Sequence, residues 1–449
     1  MRVRRSECLA VIGIGILGII VSMSQTMIDV SRTPSGTVFP FVHNYAQDYY
    51  YYLHLMRQGF DGAWLATSKL TEEQFPVQFV NPFFLLLGHL SRLTNVSLPH
   101  AYLIARIVGA VSLIALSYVL ALLVYPRSSL KRIVALLLVV FGSYWWSWQE
   151  GSPGVPSLVH LWTELDPMVR LSFIPHHLWS KIFMLATFLL ILRFSTHTVR
   201  LNILVLVVLG TLFAGFSSPV VLITLIPTLL FFIVLLLIGT LREKKMIPWR
   251  TYVLIVLSIV VGILVVIYHR HVETGVFPWT SYKSWEDTVR FSIRPIDYLE
   301  SLGPTLLFFL FAIVPLWRTP AGKLVLAWAA SGWIMTFAVG RFIPIWNIRF
   351  LEGYQFIPIA IGASEGLLIA AGLLRTYVRL RFPLVILFVL LFIHAGGGII
   401  ASTNEHNQYL VNDVYNPMIY IPVSTFKALT YLSTVGPGDR VVMAPFDIG

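Results

Sequence analysis

Long apolar runs alternate with short polar stretches along most of this chain. A helix needs roughly 20 apolar residues to cross a bilayer, and eleven segments approach or reach that length. These segments lie near residues 8–27, 100–125, 131–148, 173–193, 199–216, 219–240, 250–268, 302–317, 323–340, 353–374 and 382–400. The pattern predicts an all-α polytopic membrane protein with about 11 transmembrane helices. A further apolar segment, 78–93, is short and is interrupted by Pro82, His89 and Arg92, so we interpret it as an interfacial or re-entrant helix.

Composition and charge agree with this interpretation. Hydrophobic residues make up 57% of the 449-residue chain and charged residues 12%, whereas soluble domains carry about 25% charged residues. On the predicted topology, 17 of the 32 basic residues but only two of the 21 acidic ones lie on the inner side. Cytoplasmic loops are rich in Lys and Arg. We therefore expect a plasma-membrane protein with a cytoplasmic N-terminus and an extracytoplasmic C-terminus, and the net charge of +11 implies no nucleic-acid partner.

The long loops all fall on the predicted outer side, at residues 28–99, 149–172 and 269–301. We expect residues 1–400 to form the membrane domain and residues 401–449 to begin a small extracytoplasmic α/β domain. The pattern of residues 426–445 predicts a helix, a Gly-Pro-Gly turn and a strand. Because the sequence stops within such an element, we expect this domain to continue beyond it.

The first candidate for chemistry is Asp48, within the polar and aromatic stretch 43–64. Asp48 opens a predicted helix in which Tyr45, Tyr49, Tyr52 and Met56 share one face. One interpretation is an amphipathic interfacial helix with Asp48 as its N-cap. The other is a carboxylate aimed into an active site at the membrane surface.

A second candidate set lies in the outer loop 149–172, where Glu164 and Asp166 are followed by Arg170. Two acidic residues separated by one residue on an extended segment point to the same side. Such a pair suits a divalent cation, Mg²⁺ or Mn²⁺, bound through oxygen ligands and bridging to a phosphate. A solvated loop with unrelated charges is the alternative.

Basic groups near the outer surface or within the spans form a third set: Arg106, His176, His177, Lys181, Arg341 and Arg349. Charges inside a bilayer are costly unless they are paired or face a wet cavity, which makes Arg106 and Lys181 functional candidates; snorkelling to the interface is the alternative. Arg341 and Arg349 could bind a phosphate bidentately, or contact lipid headgroups. Glu365, deep in a span, is expected to pair with Lys181 or Arg106.

These motifs resemble those of the GT-C superfamily of integral membrane glycosyltransferases. Asp48 with its four following tyrosines is similar to the first acidic motif of oligosaccharyltransferase catalytic subunits. Glu164-Leu-Asp166 stands where their second acidic motif stands, and Arg341 or Arg349 matches the late outer-loop arginine that holds the donor phosphate. The Asp-Glu dyad of protein O-mannosyltransferases is missing, because Gln47 precedes Asp48.

The resemblance implies transfer of a sugar from a polyprenyl-phosphate carrier to an acceptor, which stays unidentified, on the outer face. Asp48 would be the base, and inversion at the anomeric carbon would follow. We expect Asp48, Glu164 and Asp166 to meet at one outer cavity, where Glu164 and Asp166 would hold either a divalent ion or the sugar hydroxyls. Residues expected to support this cavity are Tyr49, Arg106, Arg170, His176, His177 and Lys181. The alternatives are a transporter or flippase of a lipid-linked substrate, with Arg106, Lys181 and Glu365 along its path, and a non-catalytic assembly protein.

The predicted topology can be tested by cysteine labelling in intact cells. On a Cys8→Ser background, a membrane-impermeant thiol reagent should modify Ser157→Cys and Thr280→Cys, which lie in outer loops, but not Ser128→Cys in an inner loop. Labelling of position 128 from outside would overturn the topology.

Overall fold

The computed structural model describes residues 3–68, 73, 75–149, 151–159, 163–194, 201–242, 244, 249–288, 292–343, 347–353, 355–413 and 418–432. Most of these residues are helical. The helices are α1 (Arg5–Ser31), α2 (Ala46–Phe60), α3 (Pro82–Thr94), α4 (Leu98–Val124), α5 (Ser129–Phe141), α6 (Pro167–Arg170), α7 (Pro175–Phe194), α8 (Leu201–Ser217), α9 (Leu222–Arg242), α10 (Trp249–Gly275), α11 (Trp279–Thr288), α12 (Pro295–Trp317), α13 (Pro320–Phe337), α14 (Phe356–Tyr377), α15 (Pro383–Asp413) and α16 (Val423–Leu432).

Short 3₁₀ helices and strands connect some of these helices. The 3₁₀ helices are Pro219–Val221, Val339–Arg341 and Asn347–Gly353. The strands are β1 (Thr37–Val38), β2 (Ser147–Gln149), β3 (Ser152–Gly154) and β4 (Ile421–Pro422). β1 pairs with β4 and β2 with β3, both antiparallel. In the β2–β3 hairpin, Gly151 has a φ of +84°, a conformation that glycine adopts without strain.

Eight segments in the described residues are long and apolar enough to cross a membrane. They contain α1, α4, α7, α9, α10, α12 and α14 and most of α15, and the apolar helix α8 is slightly shorter. Each of the eleven predicted spans contains a helix, so the prediction of a polytopic helical protein is confirmed. The number of crossings stays a prediction.

Two predicted segments differ in detail from the structure. Pro82 begins α3 instead of interrupting it, as expected for a residue whose fixed φ suits the first helical position. The span predicted at 131–148 contains a helix, α5, that ends at Phe141. The Arg170 guanidinium donates to the carbonyls of Val139 and Gly142, and it thereby satisfies acceptors that a helix end leaves free.

The chain divides into two compact units, and the division falls within α1, α4 and α15. The larger unit comprises Met1–Ser22 and Arg106–Ser402, and the smaller unit comprises Met23–Ala105 and Thr403–Gly449. In the larger unit, α12 and α14 pack so closely that a Cβ at Gly366 would overlap the carbonyl of Phe308. Close backbone approach of this kind is typical of helix packing in membranes.

Buried and half-buried charges in the larger unit are paired across helices. Both carboxylate oxygens of Glu7 accept from the Arg132 guanidinium, at 2.6 and 2.7 Å, and Tyr118 donates to the same carboxylate. Lys131 donates to Glu365 at 2.5 Å. These contacts connect α1, α4, α5 and α14.

The prediction that Glu365 pairs with a cation is therefore confirmed, but the predicted partners were wrong. Lys181 pairs instead with Glu164, and Arg106 donates to the main chain of Ser172. Lys131 takes their place because the first turn of α5, in which it lies, is next to the part of α14 that carries Glu365.

The smaller unit is built on the close packing of α2 against α3. A Cβ at Gly59 would overlap the carbonyl of Leu85, and one at Gly88 would overlap the carbonyl of Met56. Near this contact, the ring of Tyr52 stacks on Phe84, with ring centroids 4.3 Å apart.

The C-terminal part of the chain is also partly as predicted. The helix predicted from residue 426 is confirmed as α16, and Ala401, where the outer segment was expected to begin, lies inside α15. In the smaller unit, His406 of α15 pairs with Asp29 of α1 at 3.1 Å. The predicted Gly-Pro-Gly turn and strand lie outside the described residues.

Candidate active site

A loop in the larger unit, residues 163–174, carries both acidic residues of the predicted second motif, and we name it the acidic loop. Glu164 and Asp166 are both buried, with 1% and 7% of their surface exposed. The sequence had left open a solvated loop or a pair of carboxylates facing one ligand. The structure instead gives the two carboxylates different close contacts within the protein, and both interact electrostatically with Arg170.

Glu164 is paired with Lys181, which lies in the second turn of α7. The Lys181 Nζ is 2.8 Å from Glu164 Oε2, and the exposed fractions of the two side chains are 0% and 1%. Removing two such charges from water costs several kcal/mol per ion, and close pairing returns much of that cost. Glu164 thus fixes the acidic loop to the start of α7.

Asp166 is the N-cap of the short helix α6. Its Oδ1 accepts from the main-chain N–H of Met168 at 2.7 Å and from the hydroxyl of Ser402 at 2.8 Å. Tyr144 extends this network, since its hydroxyl lies 2.7 Å from that of Ser402. Burial raises the pKa of Asp166 to about 6, although both hydrogen bonds and Arg170 favour the ionised form.

Arg170 organises the acidic loop from within. Its guanidinium stacks on the ring of Phe356, 3.6 Å from the ring centre. Burial lowers the pKa of Arg170 to about 9, so the side chain remains cationic at neutral pH. It donates to four main-chain carbonyls, those of Glu164, Leu165, Val139 and Gly142. Arg170 therefore supports the site as a positioning residue.

Arg106 has a similar role at the other end of the acidic loop. It lies within α4 with 1% of its surface exposed, and its Nε donates to the carbonyl of Ser172 at 3.0 Å. Burial and this bond argue against snorkelling as the account of its position.

The two predicted histidines lie at the first turn of α7, beside the acidic loop. The rings of His176 and His177 are 4.0 Å apart, and the His177 Nδ1 is hydrogen bonded to the Ser218 hydroxyl at 3.0 Å. Arg349, half-buried in the 3₁₀ helix Asn347–Gly353, interacts electrostatically with both histidines. Lys181 acts on His177 in the same way. Basic groups from two elements thus gather at one end of α7.

The structure also identifies residues that sequence reasoning missed. Ser218 and Ser402 bind His177 and Asp166, and the buried Tyr298 of α12 interacts electrostatically with Glu164. None of these residues is charged, and each follows or lies within an apolar run, so hydropathy gave no signal for them. Arg341 ends the 3₁₀ helix Val339–Arg341, and its side chain lies outside the described residues.

Asp48 and Tyr49 belong to the smaller unit. Asp48 is exposed in the first turn of α2, and the N-cap of this helix is Tyr45. The interpretation of Asp48 as the N-cap was therefore wrong, although a carboxylate in the first turn still interacts favourably with the helix dipole. Tyr49 is fully buried, and its hydroxyl donates to the carbonyl of Pro40 at 2.6 Å. The convergence of Asp48 with Glu164 and Asp166 stays a prediction.

The acidic loop does not fit the divalent metal expected from its sequence. The described residues include no group of three or more His, Cys, Asp or Glu side chains that could hold a metal ion. Lys181 neutralises Glu164, and Asp166 is bound by Met168 and Ser402. A divalent cation here would also face the positive charge of Arg170.

Comparisons with known proteins add structural similarities. No family model and no curated protein matches the chain. The Archaeoglobus fulgidus oligosaccharyltransferase, solved with Zn and sulfate, is similar with a TM-score of 0.47 and 13% identity over 87% of this chain and 53% of that one. ArnT from Cupriavidus metallidurans, bound to undecaprenyl phosphate, has a TM-score of 0.49 and 14% identity over 97% of this chain and 82% of that one.

The archaeal protein has also been solved with an inhibitory peptide and a dolichol-phosphate. That structure has a TM-score of 0.49 and 12% identity over 95% of this chain and 58% of its own. This chain thus spans little more than half the length of the archaeal protein.

The raised pKa of Asp166 predicts a specific pH dependence of stability. An unfolded Asp ionises near pH 4 and folded Asp166 near 6, so between these values the folded state binds more protons and loses stability as pH rises. Asp166→Asn keeps both hydrogen-bond acceptor functions without a charge. Relative to the wild type, it should gain about 3 kcal/mol above pH 6 and nothing at pH 4.

Thermal unfolding in detergent from pH 4 to pH 8 would measure this difference. Asp61→Asn, at an exposed carboxylate directly after α2, is the control and should show no such pH-dependent gain. An Asp166→Asn effect of equal size at pH 4 and pH 8 would contradict the account.

Proposed function

We propose that the protein is a membrane glycosyltransferase that moves a sugar from a polyprenyl-phosphate-linked donor to an acceptor on the outer face of the membrane. The observation that carries this proposal is the buried polar cluster around Glu164 and Lys181 at the start of α7. Charges at such a depth in an apolar helical unit are costly and mark functional sites by default.

The basic part of this cluster suits the donor phosphate. The positive charge of Arg349 interacts electrostatically with His176 and His177, and that of Lys181 interacts with His177. A planar guanidinium can hold two phosphate oxygens at once, whereas an ammonium acts as a point charge. Arg349 would bind the phosphate and stabilise the charge that develops on it as the sugar leaves. In this scheme Arg349 supplies the neutralisation expected of Mg²⁺ or Mn²⁺, and Arg341 is the second candidate for the same role.

The acidic part suits the sugar. Glu164 is paired with Lys181, and its carboxylate oxygens are acceptors that could also receive hydrogen bonds from sugar hydroxyls. Asp166 is already bound by Met168 and Ser402, and it fixes the position of Glu164 from two residues away.

Asp48 is the proposed base. It takes the proton of the acceptor hydroxyl as the acceptor oxygen attacks the anomeric carbon, and the bond from that carbon to the phosphate oxygen breaks. The polyprenyl phosphate leaves with the bonding electrons. One displacement of this kind inverts the anomeric centre. A positioned base contributes a factor of roughly 10² to 10⁴ to the rate.

The contacts of the larger unit do not favour the transporter alternative. Arg106 is bound to the main chain at Ser172, Lys181 is paired with Glu164, and Glu365 is paired with Lys131. These three residues are thus engaged in separate contacts instead of lining one path.

One experiment distinguishes the proposed role of Asp48 as the base from that of Arg349 in binding the phosphate. Membranes containing the protein would receive a polyprenyl-phosphate hexose with a labelled sugar, and binding of unglycosylated polyprenyl phosphate would be measured on the purified chain. Asp48→Asn should reduce transfer at least about 100-fold and leave lipid binding unchanged. Arg349→Lys should weaken lipid binding, because lysine keeps the charge but lacks the planar guanidinium that can hold two phosphate oxygens at once.

The controls are Asp61→Asn, at an exposed carboxylate directly after the helix that carries Asp48, and Arg318→Lys, directly after α12. Both should behave as the wild type. Transfer at the wild-type rate by Asp48→Asn, or unchanged lipid binding in both Arg349→Lys and Arg341→Lys, would remove the corresponding role.

A further inference from the structure

Tyr298 has a buried hydroxyl next to the proposed sugar site. The side chain is fully buried in α12, and its ring meets the edges of Trp333 and Phe337 of α13, with centroids 4.8 and 5.8 Å away. The described residues offer its hydroxyl no hydrogen-bond partner. Glu164 lies close enough to interact with it electrostatically.

A buried polar group without a partner is destabilising, and most such groups in native proteins are satisfied. Phenylalanine would fill the same space between Trp333 and Phe337 without this cost. The hydroxyl of Tyr298 is therefore expected to serve a ligand that is bound only part of the time.

Gln355 has a second buried polar atom without a described partner, and this atom is an acceptor only, whereas the Tyr298 hydroxyl can donate. Its side chain packs on Gly332, which precedes Trp333 in α13, and 1% of the residue is exposed. The amide nitrogen donates to the carbonyl of Phe350 at 3.0 Å. Because that carbonyl can only accept, the assignment of the amide atoms is fixed, and the Oε1 atom has no partner among the described residues.

We propose that the Tyr298 hydroxyl and the Gln355 amide oxygen recognise the hydroxyl groups of the donor sugar, beside Glu164. This inference rests on the proposed function and adds two specificity-determining residues to it. Sugar hydroxyls both donate and accept, so the hydroxyls of one sugar can satisfy an unpaired acceptor and an unpaired donor. The acceptor oxygens of Gln355 and Glu164 would repel a phosphate, which assigns the phosphate to Arg349.

The test compares two affinities on the purified full-length chain in nanodiscs. The probes are polyprenyl phosphate alone and polyprenyl phosphates that carry glucose, mannose or galactose. The wild type should bind at least one sugar-bearing lipid more tightly than the bare lipid. Tyr298→Phe should reduce this preference about 5- to 10-fold, the loss expected for one hydrogen bond. Its affinity for the bare lipid should be unchanged, and the ligand-free variant should be at least as heat-stable as the wild type.

Tyr252→Phe is the matched control, because Tyr252 of α10 also carries a buried hydroxyl without a described partner. Neither Glu164 nor Lys181 interacts electrostatically with Tyr252. The preference of Tyr252→Phe for sugar-bearing over bare lipid should therefore equal that of the wild type. Gln355→Leu should lower the preference as Tyr298→Phe does, and it decides the question if Tyr298→Phe fails to fold.

The outcomes separate the two proposals. If the wild type binds none of the four lipids, the proposed function fails and this inference fails with it. If the bare and sugar-bearing lipids bind equally, or if Tyr298→Phe folds and keeps the wild-type preference, the sugar site is overturned while the phosphate site stands.

Discussion

The Glu164 carboxylate and the Lys181 ammonium lie 2.8 Å apart with almost no exposure to solvent. Each charge is tolerable there only because the other is present, since an isolated buried ion costs several kcal/mol. The pair joins the acidic loop to α7. The same helix carries His176, with which Arg349 interacts electrostatically. The position of the proposed sugar site relative to the proposed phosphate site depends on this contact.

Arg170 supports the acidic loop in which Glu164 lies. The acidic loop carries main-chain carbonyls into the interior of the larger unit, where each needs a donor. Arg170 supplies donors to two of them and to two at the end of α5. A lysine could not replace it, because only the planar guanidinium offers five donors in a fixed arrangement and stacks on an aromatic ring such as Phe356.

Hydropathy alone predicted the helical segments, because burial of about 20 apolar residues in lipid is a local property of the sequence. The cost of intramembrane charge likewise predicted that Glu365 would be paired. Its partner could not be predicted, since the pairing of Lys131 with Glu365 and of Lys181 with Glu164 depends on which helices become neighbours.

Loop geometry was equally beyond the sequence. An extended segment would place Glu164 and Asp166 on one side, but Asp166 begins a helix and the two carboxylates take different partners. Tyr298 and Gln355 were missed because uncharged residues in or beside apolar runs resemble ordinary packing residues until their polar atoms are found buried and unpaired.

The central claim is that the buried pair is kept for ligand recognition, and a double-mutant cycle tests it. Glu164→Gln, Lys181→Met and the double variant would be compared in unfolding stability and in preference for sugar-bearing over bare polyprenyl phosphate. Each single variant should lose about 3 to 5 kcal/mol by leaving a buried charge uncompensated, and the double variant should regain most of it. The double variant should nevertheless show no preference for sugar-bearing over bare polyprenyl phosphate. Additive losses of stability, or a stable double variant that keeps the full preference, would contradict the claim.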